Sequence, residues 1–200
     1  MPDLHSLLLF ATAGLALNLT PGPDMLYVAA RSASDGRAAG VASAFGIAAG
    51  TLVHIALVAG GLAAILAAVP VAYAVVRLAG AAYLVWLGTR ALVRPRGVAS
   101  EGALTPASRW EVFRQGVVTN VLNPKVALFF LAFLPQFVDP SRGSAALQVL
   151  ALGLLFNTTG TLVNLAVALG ASGAASRLRR SDRAARVLER ATGALFIALG

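Results

Sequence analysis

Two short stretches of this sequence set proline beside a charged residue inside an otherwise apolar run. One is Asn18-Leu-Thr-Pro-Gly-Pro-Asp24 and the other is Asn120-Val-Leu-Asn-Pro-Lys125. Proline has no N–H, and its ring collides with the carbonyl four residues earlier, so a helix cannot pass through it intact. Pro21 and Pro23 thereby free the carbonyls of Leu17 and Leu19, and Pro124 frees that of Asn120. Gly22, between the two prolines, admits a positive φ. Unpaired peptide groups at membrane depth survive only inside protein or beside a wet cavity. A kink that merely shapes packing is the plain alternative. Two prolines around a glycine, an aspartate next to them and a proline–lysine pair elsewhere favour a binding role. Asn18, Thr20, Pro21, Gly22, Pro23, Asp24, Asn120, Asn123, Pro124 and Lys125 are therefore candidate site residues.

Each single residue carries two readings. Asp24 follows the break, where it can cap the second half-helix, bind an ammonium group or carry a proton. Lys125 is the single lysine of the chain, against 15 arginines. A charge far from the helix ends costs at least about 2.5–3.5 kcal/mol on insertion scales, so a partner or water is expected. That partner is either Asp24 in a structural pair or the carboxylate of a ligand. His54 lies midway along an apolar run, one turn past Gly46 and Gly50; a bond to a backbone carbonyl is the common outcome and a proton relay the other. The two glycines fit close helix contact. Asn157, with Thr158, Thr159, Thr161 and Asn164, gives another run unusual polarity, which serves interhelical hydrogen bonds or a cavity wall. Arg77 fits snorkelling to the interface, and Tyr83, Trp86 and Trp110 fit interface or packing positions.

These residues sit in a chain whose composition decides its class. Hydrophobic residues make up 58% and charged residues 12% of 200, with a mean hydropathy of +0.79. Soluble domains carry roughly 25% charged residues, and one core of this length cannot hide so much apolar surface. The chain reads as an all-α integral membrane protein. Six apolar stretches follow, at about Leu7–Ala30, Val41–Ala68, Val71–Val93, Gly116–Val138, Ala145–Ala175 and from Val187. Strands are excluded by run length and by the lack of alternation. A cleaved leader is not expected, since Met1–Ser6 holds no Lys or Arg. The last stretch ends at Gly200 after about 21 Å of helix, short of a core of about 30 Å.

All of the 16 basic residues except Arg77, Lys125 and Arg142 fall in or beside alternate loops, after the first, third and fifth stretches. Basic loops stay in the cytoplasm, so both termini are expected in the periplasm. The net charge of +8 is then a topology signal, and no nucleic-acid partner is expected. Three spans, a cytoplasmic linker over about 94–111 and three more spans imply two inverted halves, about 1–93 and 112–200, in a single transmembrane domain over 1–200. Aligning Pro23 with Pro124 sets Asp24 opposite Lys125, with the first and fourth spans broken at their prolines.

With its motifs in this order, the sequence resembles the LysE/RhtB family of amino-acid exporters. The resemblance rests on Thr20-Pro-Gly-Pro-Asp24, Gly46-Ile-Ala-Ala-Gly-Thr-Leu-Val-His54, Gly80-Ala-Ala-Tyr-Leu-Val-Trp-Leu-Gly88, Asn123-Pro-Lys125 and Phe129-Phe-Leu-Ala-Phe-Leu-Pro-Gln-Phe137, and spans nearly the whole chain. It implies a six-helix protein of the bacterial inner membrane that exports amino acids or related metabolites. Two departures are Thr51, where some members carry an acidic residue, and the end at Gly200 without the last helix's usual tail.

A zwitterion suits one anion and one cation beside freed dipoles, so a small neutral amino acid is the expected cargo, with membrane lipid as the surrounding partner. Proton antiport is the expected drive; no Gly-x-x-x-x-Gly-Lys-[Ser/Thr] loop is present for ATP. A carrier of another small solute or ion is the alternative. A membrane enzyme is a weaker one: no two carboxylates share a span and no His-Glu-x-x-His occurs. No cofactor, catalytic residue or metal site is expected; cysteine is absent. A homo-oligomer is compatible with the sequence.

Overall fold

The computed structural model describes residues 3–68, residue 89 and residues 107–170. The expected third stretch, Val71–Val93, and the sixth, from Val187, lie outside the described residues apart from residue 89, as do Arg77, Tyr83 and Trp86. Every described element is a helix, and no strand occurs among the described residues.

Local chemistry sets the helix ends. Asp3 accepts a hydrogen bond from the Ser6 amide at 2.8 Å and opens α1 (Leu4–Leu19). The chain then turns extended at Thr20 and Gly22, and α2 (Pro23–Ser34) starts with a proline at its first position, where no N–H is needed. Gly22 has φ −161° and ψ −178°, an extended backbone open to any residue, so the positive φ that glycine admits is not used. Gly36 does take one, φ +87°, and lets α2 end and α3 (Arg37–Ala68) begin.

The fourth apolar stretch starts earlier than its hydropathy indicates. α4 (Arg109–Val121) begins inside the segment expected as linker, because Ser108 and Glu111 form a reciprocal capping box. Asn123 caps α5 (Pro124–Leu128). The helix continues as a wide π turn over Phe129–Phe133, with Leu134 N–H donating to Phe129, and then as a tight 3-10 turn over Leu134–Phe137. Pro135 removes a donor within that run and accounts for the irregularity. After a 3-10 turn at Pro140–Arg142 comes α6 (Ala145–Gly170).

Within α3, Arg37–Gly61 supplies 25 apolar-rich residues and α6 supplies 26. At 1.5 Å per residue each exceeds a hydrocarbon core of about 30 Å. α1 and α2 meet at 47°, and α4 meets the Pro124–Phe137 run at 46°; each bent pair is apolar and long enough to count as one broken span. The described residues thus hold two candidate spans, or four with the bent pairs. Leu57, Leu131, Leu147 and Leu162 stay exposed, as lipid-facing residues do.

Two contacts hold the bundle. Phe10, Phe129, Phe130, Phe133 and Phe156 form an aromatic core joining α1, the π turn and α6, with Phe129 stacked on Phe156 at 4.4 Å between ring centres. α3 lies directly on α4 through glycine. A Cβ on Gly116 would sit 2.8 Å from the Ser43 carbonyl, one on Gly50 would sit 2.7 Å from the Asn120 Cβ, and one on Gly46 would strike the Phe113 carbonyl. Replacing Gly46 with valine must therefore move backbone. We expect a loss of about 1–3 kcal/mol or more, read as a lower unfolding midpoint of the purified protein. Leu57→Val on the exposed face should leave that midpoint in place.

Candidate functional site

The carbonyls freed by proline determine the site. Pro21 cannot donate to Leu17, and that carbonyl instead accepts from Lys125 Nζ at 3.1 Å, with the Thr20 amide at 3.2 Å. The Thr20 carbonyl, exposed by the same break, accepts from Lys125 Nζ at 2.9 Å. Pro124 leaves the Asn120 carbonyl without its helical partner; it accepts from the Asn123 amide at 3.0 Å and from His54 Nε2 at 3.1 Å. A carbonyl only accepts, so His54 carries its proton on Nε2. The ring is also stacked on Phe130. His54 thus takes the carbonyl-bonded role, supporting α4 rather than facing the cavity.

Asn120, 1% exposed, is the centre of the polar network. Its Nδ2 donates to Asp24 Oδ2 at 2.8 Å, and its Oδ1 accepts from Thr51 Oγ1 at 3.3 Å. One side chain and one carbonyl therefore tie α2, α3 and α4 together, and Gly50 supplies the space for it. Asp24 lies at the second position of α2 and is buried. Its Oδ1 has no hydrogen-bond partner among the described residues, and neither does Asn123 Nδ2. The direct pair between Asp24 and Lys125, one of the two readings of the lysine, is not formed. Lys125, partly buried, points its ammonium at the α1 carbonyls instead.

Gly22 has a role the sequence did not disclose. A Cβ there would lie 3.0 Å from Lys125 Nζ and 3.2 Å from its Cε, so the glycine clears the path along which the lysine stem reaches α1. Asn18 donates to the Phe156 carbonyl at 3.2 Å and to Thr159 Oγ1 at 3.1 Å, fixing α1 against α6. The Thr20 hydroxyl turns back to the Ala16 carbonyl.

A cavity of about 20 Å³ lies between these groups, with Asn18, Asp24, Asn120, Lys125 and Asn157 among its lining residues. Thr51, Thr161 and Asn164 also line it. Of the polar run on α6, read as either interhelical bonding or a cavity wall, Asn157, Thr161 and Asn164 thus lie at the cavity, as does Thr51 of α3. Pro21, Pro23, Pro124, Gly22, Thr20, Asn123 and His54 shape the site from behind its wall. Among the described residues no three His, Cys, Asp or Glu side chains cluster as a metal site would require.

Broken apolar helices around a small polar cavity are the marks of a helical membrane protein. The chain belongs to the LysE type translocator family, whose model matches residues 15–200. It is similar to an uncharacterized membrane protein of Pseudomonas aeruginosa, at 33% identity over 189 residues, or 91% of this chain and 87% of that one. A homoserine/homoserine lactone efflux protein of Salmonella typhimurium is 30% identical over 187 residues, 92% of this chain and 88% of its own. A leucine efflux protein of an Enterobacter species is 33% identical over 137 residues, 67% of this chain and 64% of its own. No solved structure matches the chain.

Asn120→Ala removes the bond to Asp24 Oδ2 and leaves both carboxylate oxygens unmet. Stranding a buried charged acceptor costs about 1–3 kcal/mol or more, so the unfolding midpoint should fall clearly. Thr51→Ala should cost less, because the Thr51 hydroxyl divides its one proton between Asn120 Oδ1 and the Ile47 carbonyl.

Proposed function

We propose that this chain is a secondary carrier exporting small neutral amino acids or related metabolites across the bacterial inner membrane, driven by the proton gradient. One observation carries the reading: a carboxylate and an ammonium line a single polar cavity, each at the second position of the half-helix after a proline break. A zwitterion entering there sets its carboxylate toward Lys125 and its ammonium toward Asp24. A dibasic cargo would ask for further carboxylates, and among the described residues the lining holds only Asp24. The names of the Salmonella and Enterobacter relatives, for homoserine, its lactone and leucine, support this class.

About 20 Å³ is room for a water and not for an amino acid. Cargo binding therefore requires the walls to part, as alternating access does. The two breaks, bent by 47° and 46°, support two inverted halves rocking about a central site. In this reading the halves are about 1–93 and 112–200, the arginine-bearing loops are cytoplasmic and both termini periplasmic. One proton crossing 100 mV supplies about 2.3 kcal/mol toward concentrative export.

The test is transport by the purified protein in proteoliposomes, with a panel of labelled amino acids and with or without a proton gradient. A neutral amino acid should move, and faster with the gradient; a panel in which nothing moves overturns the reading. Lys125→Met and Asp24→Asn each remove a charged hydrogen-bonding pole worth about 1.5–3 kcal/mol, so transport should fall about 10- to 100-fold with the protein still inserted. Full transport by the double variant would show that the two charges serve structure alone. Replacing Pro21 and Pro23 together with alanine should leave protein level normal and abolish export; unchanged export would reduce the break to packing.

A further inference from the structure

Lys125 stands where a ligand's amine would be expected. Its ammonium rests on the carbonyls of Leu17 and Thr20, 3.1 and 2.9 Å away, at the C-terminal and negative end of the α1 dipole. An ammonium has three donors, and these two bonds use two of them. Asp24, whose buried Oδ1 has no hydrogen-bond partner among the described residues, lines the cavity that Lys125 also lines. Carbonyl pair and carboxylate together form an acceptor set for one primary ammonium, and the protein's single lysine occupies half of it.

We propose that the Leu17 and Thr20 carbonyls, with Asp24, are the site for the cargo's ammonium group, and that Lys125 is its resident occupant, displaced when cargo binds. This rests on the carrier reading above and adds to it where each group of the cargo goes and what must leave first. The lysine and an amino acid present the same –NH3+ group, so the carbonyls cannot tell them apart. An amine alone competes against a tethered occupant whose effective concentration is high. A zwitterion does better: its carboxylate draws Lys125 off while its ammonium takes the vacated carbonyls. The exchange makes the site read both ends of an amino acid at once. It also has a mechanical result. Lys125 on α5 bridges to α1 across the two halves of the chain, so its departure removes one of the bonds that join them.

Lys125→Ala removes the atoms that n-propylammonium would replace, which gives a test independent of the cargo's identity. The purified variant and wild type are titrated with propylammonium, and with tetramethylammonium, a cation without N–H donors, while the unfolding midpoint is followed. An occupied site lowers apparent affinity by the fraction of molecules in which it is free. We expect the variant to respond at concentrations about 10- to 100-fold below those that affect wild type, and to ignore tetramethylammonium. If the variant does not fold alone, propylammonium and not tetramethylammonium should restore folded protein to the membrane. Equal response of variant and wild type, equal response to the two cations, or no restoration overturns the proposal. The carrier reading fails separately, when wild type moves no amino acid in proteoliposomes.

Discussion

A peptide carbonyl without a partner is intolerable in hydrocarbon, and the rest of this structure follows from how three of them are served. Proline breaks two helices and frees the carbonyls of Leu17, Thr20 and Asn120. The protein answers with Lys125 on the first two and His54 on the third. Each donor comes from another helix: Lys125 from α5 to the end of α1, His54 from α3 to the end of α4. The breaks are therefore both the weak points of their own helices and the points where separate helices are joined. A continuous helix would satisfy its carbonyls internally and offer nothing to its neighbours.

Close packing makes those bonds reachable. Asn120 bonds Asp24 and Thr51 through a short side chain, which demands that α2, α3 and α4 approach within a few ångströms. Gly46, Gly50 and Gly116 remove the side chains that would hold α3 and α4 apart. In lipid, such helix pairs gain little from hydrophobicity and rely on packing and on interhelical hydrogen bonds. The glycines and Asn120 supply both at one contact. Gly22 does the same for Lys125 at the other break.

What was legible in the sequence followed from physics that acts locally. Span positions come from long apolar runs, and the breaks from proline, whose effect needs no tertiary context. The freed Leu17 and Asn120 carbonyls could be named in advance for that reason. Their partners could not, because a carbonyl accepts from whatever donor folding brings near. Asp24 and Lys125 as a direct pair is the simple electrostatic reading, one of two open for the lysine. It fails because two carbonyls at the end of α1 already serve the ammonium and Asn120 already serves the carboxylate. Gly22 makes the same point: glycine permits a positive φ without requiring one, and here its use is the missing side chain. The start of α4 was hidden by hydropathy, while the Ser108-x-x-Glu111 pattern carried the signal.

The two breaks are alike in angle, with proline first and a charge second in each following half-helix, yet they differ in what they allow. Asn120 is short, wholly buried and bonded on both sides of its amide, so it ties the α2–α3–α4 side of the cavity together. Lys125 sits at the end of a four-carbon stem and is held by two neutral carbonyls among the described residues, a contact that the proposed displacement would exchange. On the proposed carrier reading, a wall fixed by several bonds and a contact open to exchange suit a site that must recognise a small polar molecule and then let it go. A direct ion pair between Asp24 and Lys125 would have removed that asymmetry, closing the cavity with the two groups that give it its chemistry.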